Sequence, residues 1–291
     1  MPNYLITIIG PTAIGKTALS LSIAKYFNTE IISSDSRQFF KEMNIGTAVP
    51  TATELDIVKH HFIQSISIND RYSVGHFEKE AIIKLDQLFE KNNVVVMVGG
   101  SGLYTDAVLY GLDDFPKVDS QIRKGLKIKL EEDGILSLQE ELKELDLVTY
   151  NTIDLENHQR LIRALEICIV KNKIKRNFIP IKVGLQAERE IIYDRINCRV
   201  DIMIENGLIN EAKGLFKHKN LNALQTVGYR ELFAYFEDEY TLDFAIEEIK
   251  KNTRRFAKRQ LTWYRKVSDI LWFDYQKKHE KIIEELHKII K

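Results

Sequence analysis

The sequence predicts an α/β protein in which a parallel sheet is flanked by helices and carries a small all-helical insertion. Three observations predict this fold. Short apolar runs alternate with helix-like segments in the first third of the chain, each run ends in glycine or polar residues, and a charged stretch without strands follows at 113–157. Alternating strands and helices are typical of a doubly wound sheet, whose ligands bind at the carboxyl ends of the strands.

The first part of the chain contains three predicted strands, at Tyr4–Ile9, Glu30–Ser33 and Val94–Val98. Apolar residues dominate the first and the third, as expected for strands that helices cover on both faces. Helices are predicted between them at Lys16–Phe27 and Val74–Glu90, where apolar residues recur on one face. The order of these elements predicts a parallel sheet.

The rest of the chain is predicted to be mainly helical. A helix is expected at 160–170 and a strand at 179–185, and from residue 188 to the end the pattern is that of helices. The apolar residues at 282–290 predict an amphipathic helix that docks on the protein. The predicted division is a first core segment, a helical insertion, and a second core segment with basic C-terminal helices, at 1–112, 113–157 and 158–291.

Composition narrows the class of protein. Hydrophobic residues make up 44% and charged residues 29% of the chain, and the net formal charge is zero. The two cysteines, Cys168 and Cys198, have no C-x-x-C spacing, so neither a disulfide framework nor a structural zinc site is expected. The first residues have the pattern of a strand and not of a signal peptide, and no apolar stretch is long enough to cross a bilayer. We therefore expect a cytoplasmic protein, and a monomer.

A phosphate-binding loop follows the first strand. Its residues match G-x-x-x-x-G-K-[ST] at every fixed position: Gly10, Pro11, Thr12, Ala13, Ile14, Gly15, Lys16 and Thr17. The glycines allow successive N–H groups to face an anion, the lysine adds a positive charge, and the threonine hydroxyl can reach Mg²⁺. With the parallel sheet, the motif predicts a P-loop NTPase-like core; the alternative is an ordinary strand-to-helix turn.

The position of the aspartate departs from the usual pattern of P-loop enzymes. Enzymes that transfer phosphate from a nucleoside triphosphate usually place an aspartate after a hydrophobic strand, where it organises Mg²⁺. Here Val94–Val98 is followed by Gly99, Gly100, Ser101 and Gly102, and the aspartate instead follows the second strand, at Asp35. This arrangement weakens the prediction of an NTPase without excluding it.

Several segments together resemble one family, the tRNA dimethylallyltransferases (tRNA isopentenyltransferases), in its compact bacterial form. The matches appear in the order of the family and extend over nearly the whole chain. They are GPTAIGKT at 10–17, SSDSRQFFKEMNIGTAVP at 33–50, HHFI at 60–63, GGSGLY at 99–104, NHQRLIRALEI at 157–167, RINCRVDIMIENGL at 195–208, QTVGYRE at 225–231 and TRRFAKRQLTWYRK at 253–266.

The resemblance implies a reaction. Such an enzyme transfers the dimethylallyl group of dimethylallyl diphosphate to the N6 amine of the adenosine 3′-adjacent to the anticodon in tRNA, and releases diphosphate. It implies that the P-loop holds the diphosphate, that Lys16 and Arg199 stabilise it as it leaves, and that Mg²⁺ is bound with the help of Thr17. For Arg199 the alternative is a helix-surface salt bridge with Asp201 or a nearby glutamate.

Asp35 matches the family's general base, which accepts a proton from the adenine amine; the alternative is that Asp35 caps a following helix. Ser101 stands where the family usually has a threonine that contacts the target base. Serine keeps the hydroxyl but lacks the methyl group that restricts the rotamer of a threonine.

The resemblance also implies a tRNA interface, with the insertion embracing the anticodon stem. The positions that match the family's tRNA contacts are Asp35, Ser36, Arg37, Gln38, Ser101, Arg123, Gln159, Arg160, Leu161, Ile162 and Arg163. The alternative for Arg160 and Arg163, three residues apart on a helix, is that both are ordinary surface charges.

Two basic stretches without acidic residues support RNA binding, because clustered cations neutralise phosphates. The first, at 250–266, contains Lys250, Lys251, Arg254, Arg255, Lys258, Arg259, Arg265 and Lys266, with Trp263 and Tyr264 between them. The second contains Lys171, Lys173, Lys175, Arg176 and Lys182. A solvated helix face is the usual alternative for such runs.

Three other functions compete with this interpretation. The P-loop suits a kinase that acts on a nucleotide or a small metabolite. A related adenylate isopentenyltransferase would prenylate free AMP, ADP or ATP, although a free nucleotide does not require the charged insertion or the basic C-terminal region. A non-catalytic RNA-binding module is the third alternative. His60 and His61 match a family motif, but no third ligand is suitably spaced, so we expect no metal there.

Overall fold

The computed structural model describes residues 1–111, 120–171, 176–267 and 269–290. Its sheet has six strands in the order β3-β2-β4-β1-β5-β6, and every neighbouring pair is parallel. The strands are β1 (Tyr4–Ile9), β2 (Ile31–Ser33), β3 (His60–His61), β4 (Val94–Val98), β5 (Ile179–Gln186) and β6 (Ile270–Asp274). The predicted fold class is confirmed.

Twelve α-helices are found in the described residues. They are α1 (Lys16–Tyr26), α2 (Ala52–Ile57), α3 (Val74–Phe89), α4 (Gly102–Tyr110), α5 (Ser120–Leu145), α6 (Leu147–Tyr150), α7 (His158–Lys171), α8 (Arg189–Glu205), α9 (Leu208–Leu215), α10 (Tyr229–Phe236), α11 (Leu242–Tyr264) and α12 (His279–Ile290).

The prediction of a mainly helical chain after residue 188 is wrong at β6. This strand pairs with β5 in parallel, with Lys182 opposite Ile270 and Gln186 opposite Asp274. A parallel strand forms its hydrogen bonds with a distant part of the chain, and a five-residue apolar run gives little local signal of them. The two-residue strand β3, which pairs with β2, was not predicted either.

The sheet is buried on both faces, as its apolar strands predicted. On one face, Leu5, Ile32 and Val95 pack in a cluster with Phe77 and Leu85 of α3. The other face is covered by α1 and α12, through residues that include Leu19, Ile23, Ile282 and Leu286. The C-terminal amphipathic helix therefore docks on the core, as predicted.

A separate hydrophobic core holds α8, α9, α10 and α11 together. Val200, Leu208, Leu232 and Ile249 are all buried within it. The segment at 40–68, which follows β2 and contains α2 and β3, contributes to the same core through Phe40, Met43 and Ile68. This packing fixes α8 and α11 beside the carboxyl ends of the strands, where the candidate site lies.

Helices form most of the described part of the insertion, and residues 151–157 are turns and irregular backbone. Within α5, Gly134 has φ 79° and ψ 175°, so the chain breaks into two helical stretches there; a positive φ is easily adopted only by glycine. Leu138 and Leu142 of α5 pack with Leu161 and Leu165 of α7. We therefore propose that the insertion extends through α7, beyond the predicted boundary at residue 157. Residues 113–119 of the predicted insertion lie outside the described residues.

None of the helices in the described ranges combines the length and the apolar character that crossing a membrane requires.

Candidate active site

Three polar loops meet at the carboxyl ends of β1, β2 and β4. The register places Val98 of β4 opposite both Ile8 of β1 and Ser33 of β2, so the loops that follow these strands are adjacent. At Gly99 a Cβ atom would lie 2.2 Å from the Ser34 Oγ, so only glycine allows this approach. The parallel topology thus brings the P-loop, the segment at 34–38 and the second glycine loop into one cleft.

The P-loop has the backbone conformation that its glycines predicted. Gly10 and Gly15 have φ values of 141° and 109°, and α1 begins immediately after Gly15. The Lys16 ammonium donates to the carbonyl oxygens of Gly10 and Pro11, at 3.0 and 2.8 Å. Six consecutive residues of the P-loop line a cavity of about 370 Å³, which we call the loop cavity: Thr12, Ala13, Ile14, Gly15, Lys16 and Thr17.

Two arginines of α8 contact the P-loop. Arg199 Nη1 donates to the Thr12 hydroxyl at 3.4 Å, and Arg195 Nε donates to the Ala13 carbonyl at 2.7 Å. Four residues apart on a helix, they share one face. The alternative salt bridge between Arg199 and Asp201 is not formed, since Asp201 pairs with Lys250 at 2.8 Å. Arg195 was not predicted; its spacing from Arg199 was the available signal.

Asp35 lies in the cleft near Lys16 and Arg199. Its Oδ1 accepts the Arg37 backbone N–H at 3.1 Å, and residues 36–39 form turns, so Asp35 does not cap a helix and that alternative is wrong. Desolvation raises the pKa of Asp35, against the opposing effects of the Arg37 amide and of the Lys16 and Arg199 charges. The carboxyl group is therefore a stronger proton acceptor than an exposed aspartate.

The two cations beside Asp35 are also perturbed by burial. Desolvation lowers the pKa of Lys16 to about 8, with Asp35 opposing the shift and Arg199 adding to it. Desolvation, together with the nearby Arg195 charge, lowers the pKa of Arg199. A charge that has lost its water interacts more strongly with an anion placed beside it. Strongly perturbed groups in one cleft are a recognised sign of a functional site.

Ser101 joins the second glycine loop to the segment after β2. Its Oγ accepts the Ser36 backbone N–H at 3.1 Å and lies 3.0 Å from the Ser36 Oγ. Ser101 precedes α4 at the N-cap position, yet its hydroxyl makes no capping hydrogen bond. The hydroxyl is directed to the site and not to the end of its own helix.

A second cavity of about 380 Å³, which we call the helix cavity, adjoins the loop cavity. Its polar wall includes Ser36, Arg37 and Ser101, and its apolar wall includes Val200 of α8 and Phe256 of α11. Five residues line both cavities: Thr12, Asp35, Thr47, Ala48 and Arg199. Asp35 therefore stands where the two cavities meet.

Two predicted tRNA contacts hold the walls of these cavities. Arg37 Nη1 donates to the carbonyl oxygens of Asn222 and Ala223, at 3.0 and 2.9 Å. Gln38 Nε2 donates to the carbonyl oxygens of Thr47 and Ala48, at 3.2 and 2.9 Å. Both side chains thus fix loops around Asp35, and their contact with tRNA stays a prediction.

In the insertion, two predicted contacts converge on one buried carboxylate. Glu166 is 1% exposed and lies 3.2 Å from Arg123 Nε and 2.9 Å from Arg163 Nη1. Gln159 and Arg160 are exposed on the same helix. The side chains of Leu161 and Ile162 are buried in the core of the insertion, so they set the position of α7 and do not face solvent.

The two basic stretches differ in how many of their cations are exposed to solvent. In the first, Lys250, Lys251 and Arg254 have partners within the protein. Five of its cations are exposed, and of these Arg255 also donates to Asn252 Oδ1 at 3.2 Å: Arg255, Lys258, Arg259, Arg265 and Lys266.

The second stretch does not form a phosphate-binding surface at its described positions. Arg176 pairs with Glu78 at 2.5 Å, and Lys182, only 5% exposed, contacts Asp269 and Tyr110. A phosphate-binding role for these two is therefore wrong. Lys173, Lys175 and the Lys171 side chain lie outside the described part of the chain.

The residues present fit a magnesium ion that is held mainly by its substrate. Over the described residues, no group of three His, Cys, Asp or Glu side chains could hold a metal. Mg²⁺ usually keeps several waters and binds one or two protein oxygens together with substrate phosphates. The Thr17 hydroxyl, which lines the loop cavity, provides such an oxygen. His61 Nε2 lies 2.6 Å from Glu30, and His60 Nδ1 lies 2.7 Å from the Val58 carbonyl.

Comparisons with known proteins agree with the motifs. The sequence model of the IPP transferase family matches residues 38–267. A tRNA dimethylallyltransferase of Flavobacterium psychrophilum is 57% identical, covering 99% of both chains, and one of Christiangramia forsetii is 60% identical, covering 98% of this chain and 97% of its own. The crystal structure of a tRNA isopentenylpyrophosphate transferase from Bacillus halodurans has a TM-score of 0.74 and 39% identity, covering 99% of this chain and 95% of that protein.

Proposed function

Because the chain belongs to the IPP transferase family of tRNA dimethylallyltransferases, we propose that it transfers a dimethylallyl group from dimethylallyl diphosphate to the N6 amine of the adenosine 3′-adjacent to the anticodon. The observation that carries this assignment is the position of Asp35. It stands where an anion-binding cavity with a P-loop meets a second cavity with a polar and an apolar wall. One carboxylate is thus within reach of both substrates.

The loop cavity holds the diphosphate of the donor. As the carbon–oxygen bond of the donor breaks, the bonding electrons stay on the diphosphate, and its growing negative charge is stabilised by the P-loop amides, Lys16 and Arg199. Donors that are already oriented need no reorganisation during the reaction. The Thr17 hydroxyl would help to hold Mg²⁺, which would supply further positive charge to the leaving diphosphate.

Asp35 serves as the general base. The N6 nitrogen forms a bond to the allylic carbon as the diphosphate leaves, and the proton that the nitrogen then gives up goes to the Asp35 carboxylate. A raised pKa favours this transfer, because a general base is most effective when its pKa is near the working pH. The Arg37 amide, which donates to Oδ1, orients the carboxylate for the transfer.

The helix cavity receives the adenine. A stacked base cannot present its amine to an enclosed carboxylate, so it must leave the stack at a cost of a few kcal/mol. Ser36, Arg37 and Ser101 provide hydrogen-bonding groups at this wall. The exposed cations of α11 and of the insertion bind the phosphates of the anticodon stem-loop.

The reaction itself tests this function. Purified protein is incubated with labelled dimethylallyl diphosphate, Mg²⁺, unmodified tRNA, AMP and ATP, and the nucleosides and nucleotides are then analysed by mass spectrometry. We expect N6-dimethylallyl adenosine in the tRNA and one diphosphate released for each group transferred. Label in AMP in place of tRNA would indicate the adenylate enzyme, and ADP formed from ATP would indicate a kinase. Either result, without labelled tRNA, would overturn the assignment.

The reaction should depend on pH through two groups, one that must be deprotonated and one that must be protonated. Asp35 accepts a proton only when it is ionised. The single-turnover rate should therefore fall as the pH is lowered through the pKa of Asp35, which lies above the ordinary aspartate value. Lys16 attracts the diphosphate only when protonated, so donor affinity should weaken as pH rises through about 8. Rates and donor dissociation constants from pH 5 to 9.5 measure both.

The variant Lys16→Arg provides the control, because an arginine stays protonated throughout this range. Its donor affinity should not weaken near pH 8. If it weakens there as in the wild type, another group is responsible.

The exposed Arg160 is expected to contact a tRNA phosphate. Arg160→Ala should weaken tRNA binding and reduce the slope of log K against log salt by about 1, because one fewer counterion is released. Filter binding or fluorescence anisotropy from 50 to 300 mM salt measures the slope. Lys281→Ala on α12 is the matched control, since α12 packs on α1 and lines neither cavity. An equal change in both variants would contradict a phosphate contact at Arg160.

A further inference from the structure

Gln260, on the buried face of α11, connects two loops of the site. The Thr12 backbone N–H of the P-loop donates to Gln260 Oε1 at 2.8 Å. Gln260 Nε2 in turn donates to the Gly100 carbonyl in the second glycine loop, also at 2.8 Å. The residue is only 5% exposed. Its side-chain amide is therefore a fixed bridge between the loops after β1 and β4.

Gly100, which the bridge contacts, lies close to the proton acceptor Asp35. A Cβ atom on Gly100 would lie 2.3 Å from Gln260 Nε2 and 3.6 Å from Asp35 Oδ2, so only a glycine leaves room for the bridge. The next residue, Ser101, contacts Ser36, the neighbour of Asp35. Hydrogen bonds thus connect the P-loop, through Gln260 and the second glycine loop, to the segment at 34–38, which carries the proton acceptor Asp35.

We propose that Gln260 is a positioning residue that sets the separation between the P-loop, which holds the donor, and the segment at 34–38, which carries Asp35. This inference rests on the proposed function, because the two loops hold the two reactants. The Thr12 amide is engaged by Gln260, which leaves the amides from Ala13 to Thr17 for the diphosphate. Gln260 thereby fixes which backbone groups face the leaving group and how far Asp35 lies from the reacting carbon.

An amide satisfies both loops at any pH. One end must accept the Thr12 N–H and the other must donate to the Gly100 carbonyl; glutamine does both with one rigid group. Methionine has a similar volume but would leave both backbone groups without their partner. Glutamate keeps the acceptor for Thr12, but its ionised form has no proton to donate to Gly100.

The test compares Gln260→Met with the wild type in prenyl transfer, tRNA binding and thermal unfolding. We expect kcat to fall by about 10²-fold, because a shift of about 1 Å between reacting groups can cost that much. The dissociation constant for tRNA should stay within about twofold, since the side chain does not face solvent. A kcat within about twofold of the wild type would overturn the proposal.

Asn252→Ala is the matched control for a purely structural effect. Asn252 is an amide on the same helix, and its Nδ2 donates to Glu231 of α10 at 2.8 Å, away from both glycine loops. Losing this hydrogen bond should lower the melting temperature but leave kcat unchanged. If Asn252→Ala lowers kcat as much as Gln260→Met at equal loss of stability, the effect is structural and the proposal fails.

Gln260→Glu adds a readout that general destabilisation would not change. When the buried glutamate is protonated, its O–H can donate to the Gly100 carbonyl and restore the bridge. The ratio of the variant rate to the wild-type rate should therefore rise as pH falls, while the titrations of Asp35 and Lys16 affect both proteins. A ratio well below one that does not change with pH would contradict the bridge, even if Gln260→Met does not fold. A wild-type protein that modifies no tRNA would instead refute the proposed function.

Discussion

Asp35→Asn is expected to lower the rate of prenyl transfer by about 10²–10⁴-fold, the range typical of a lost general base. Asparagine has nearly the shape of aspartate, and its Oδ1 can still accept the Arg37 N–H. It cannot take up the proton that the adenine amine must lose. Because the substitution removes proton transfer and little else, affinity for tRNA and for the donor should be nearly unchanged.

Single-turnover rates with saturating tRNA and donor measure this effect directly, and anisotropy measures tRNA binding. Asp35→Ala should be similarly inactive and should also bind tRNA. Asp201→Asn is the matched control: it removes a carboxylate of α8 that pairs with Lys250 and lines neither cavity. Full activity in Asp35→Asn would remove the role of proton acceptor from this residue.

Lys16→Met is expected to lower kcat/KM for the donor by about 10²–10³-fold, comparable with the loss of one donor that stabilises a developing oxyanion. The ammonium is the only cation within the P-loop sequence itself, and its loss leaves the departing diphosphate with fewer positive partners. The binding of tRNA should not change. The second effect concerns Asp35: without the Lys16 charge, its pKa should rise further, so the acid limb of the rate should move to higher pH.

Initial rates at varied donor concentration, and rates over a range of pH, measure both effects. Lys25→Met, which removes an exposed lysine from the same helix, should leave both unchanged. A donor affinity in Lys16→Met equal to that of the wild type would mean that the diphosphate is bound elsewhere.

Several features of the fold and the site could be read from the sequence because each is local. The apolar runs Tyr4–Ile9 and Val94–Val98 predict buried strands, and the P-loop pattern predicts an anion cradle from eight consecutive residues. The polar ends of the strands also predict where the site lies, since parallel strands end at one edge of the sheet. The resemblance to one family added roles for Asp35, Ser101 and Arg199, which composition and spacing alone did not distinguish from capping or surface residues.

Contacts between distant parts of the chain could not be read in this way. The strand β6 forms only by pairing with β5, and Arg176 and Lys182 look like RNA-binding cations until their buried partners are known. Charge in a sequence does not reveal whether a side chain faces water or a carboxylate. That difference decides whether it is available to a phosphate.

By itself, the sequence determined that a P-loop motif, an acidic residue and a serine follow three predicted strands, because short motifs encode backbone geometry locally. Only the tertiary structure decided which other groups complete the site. Arg195 and Gln260 contact the P-loop from positions 182 and 248 residues away in the chain. Such contacts depend on how helices pack on the sheet, and packing is a property of the whole hydrophobic core.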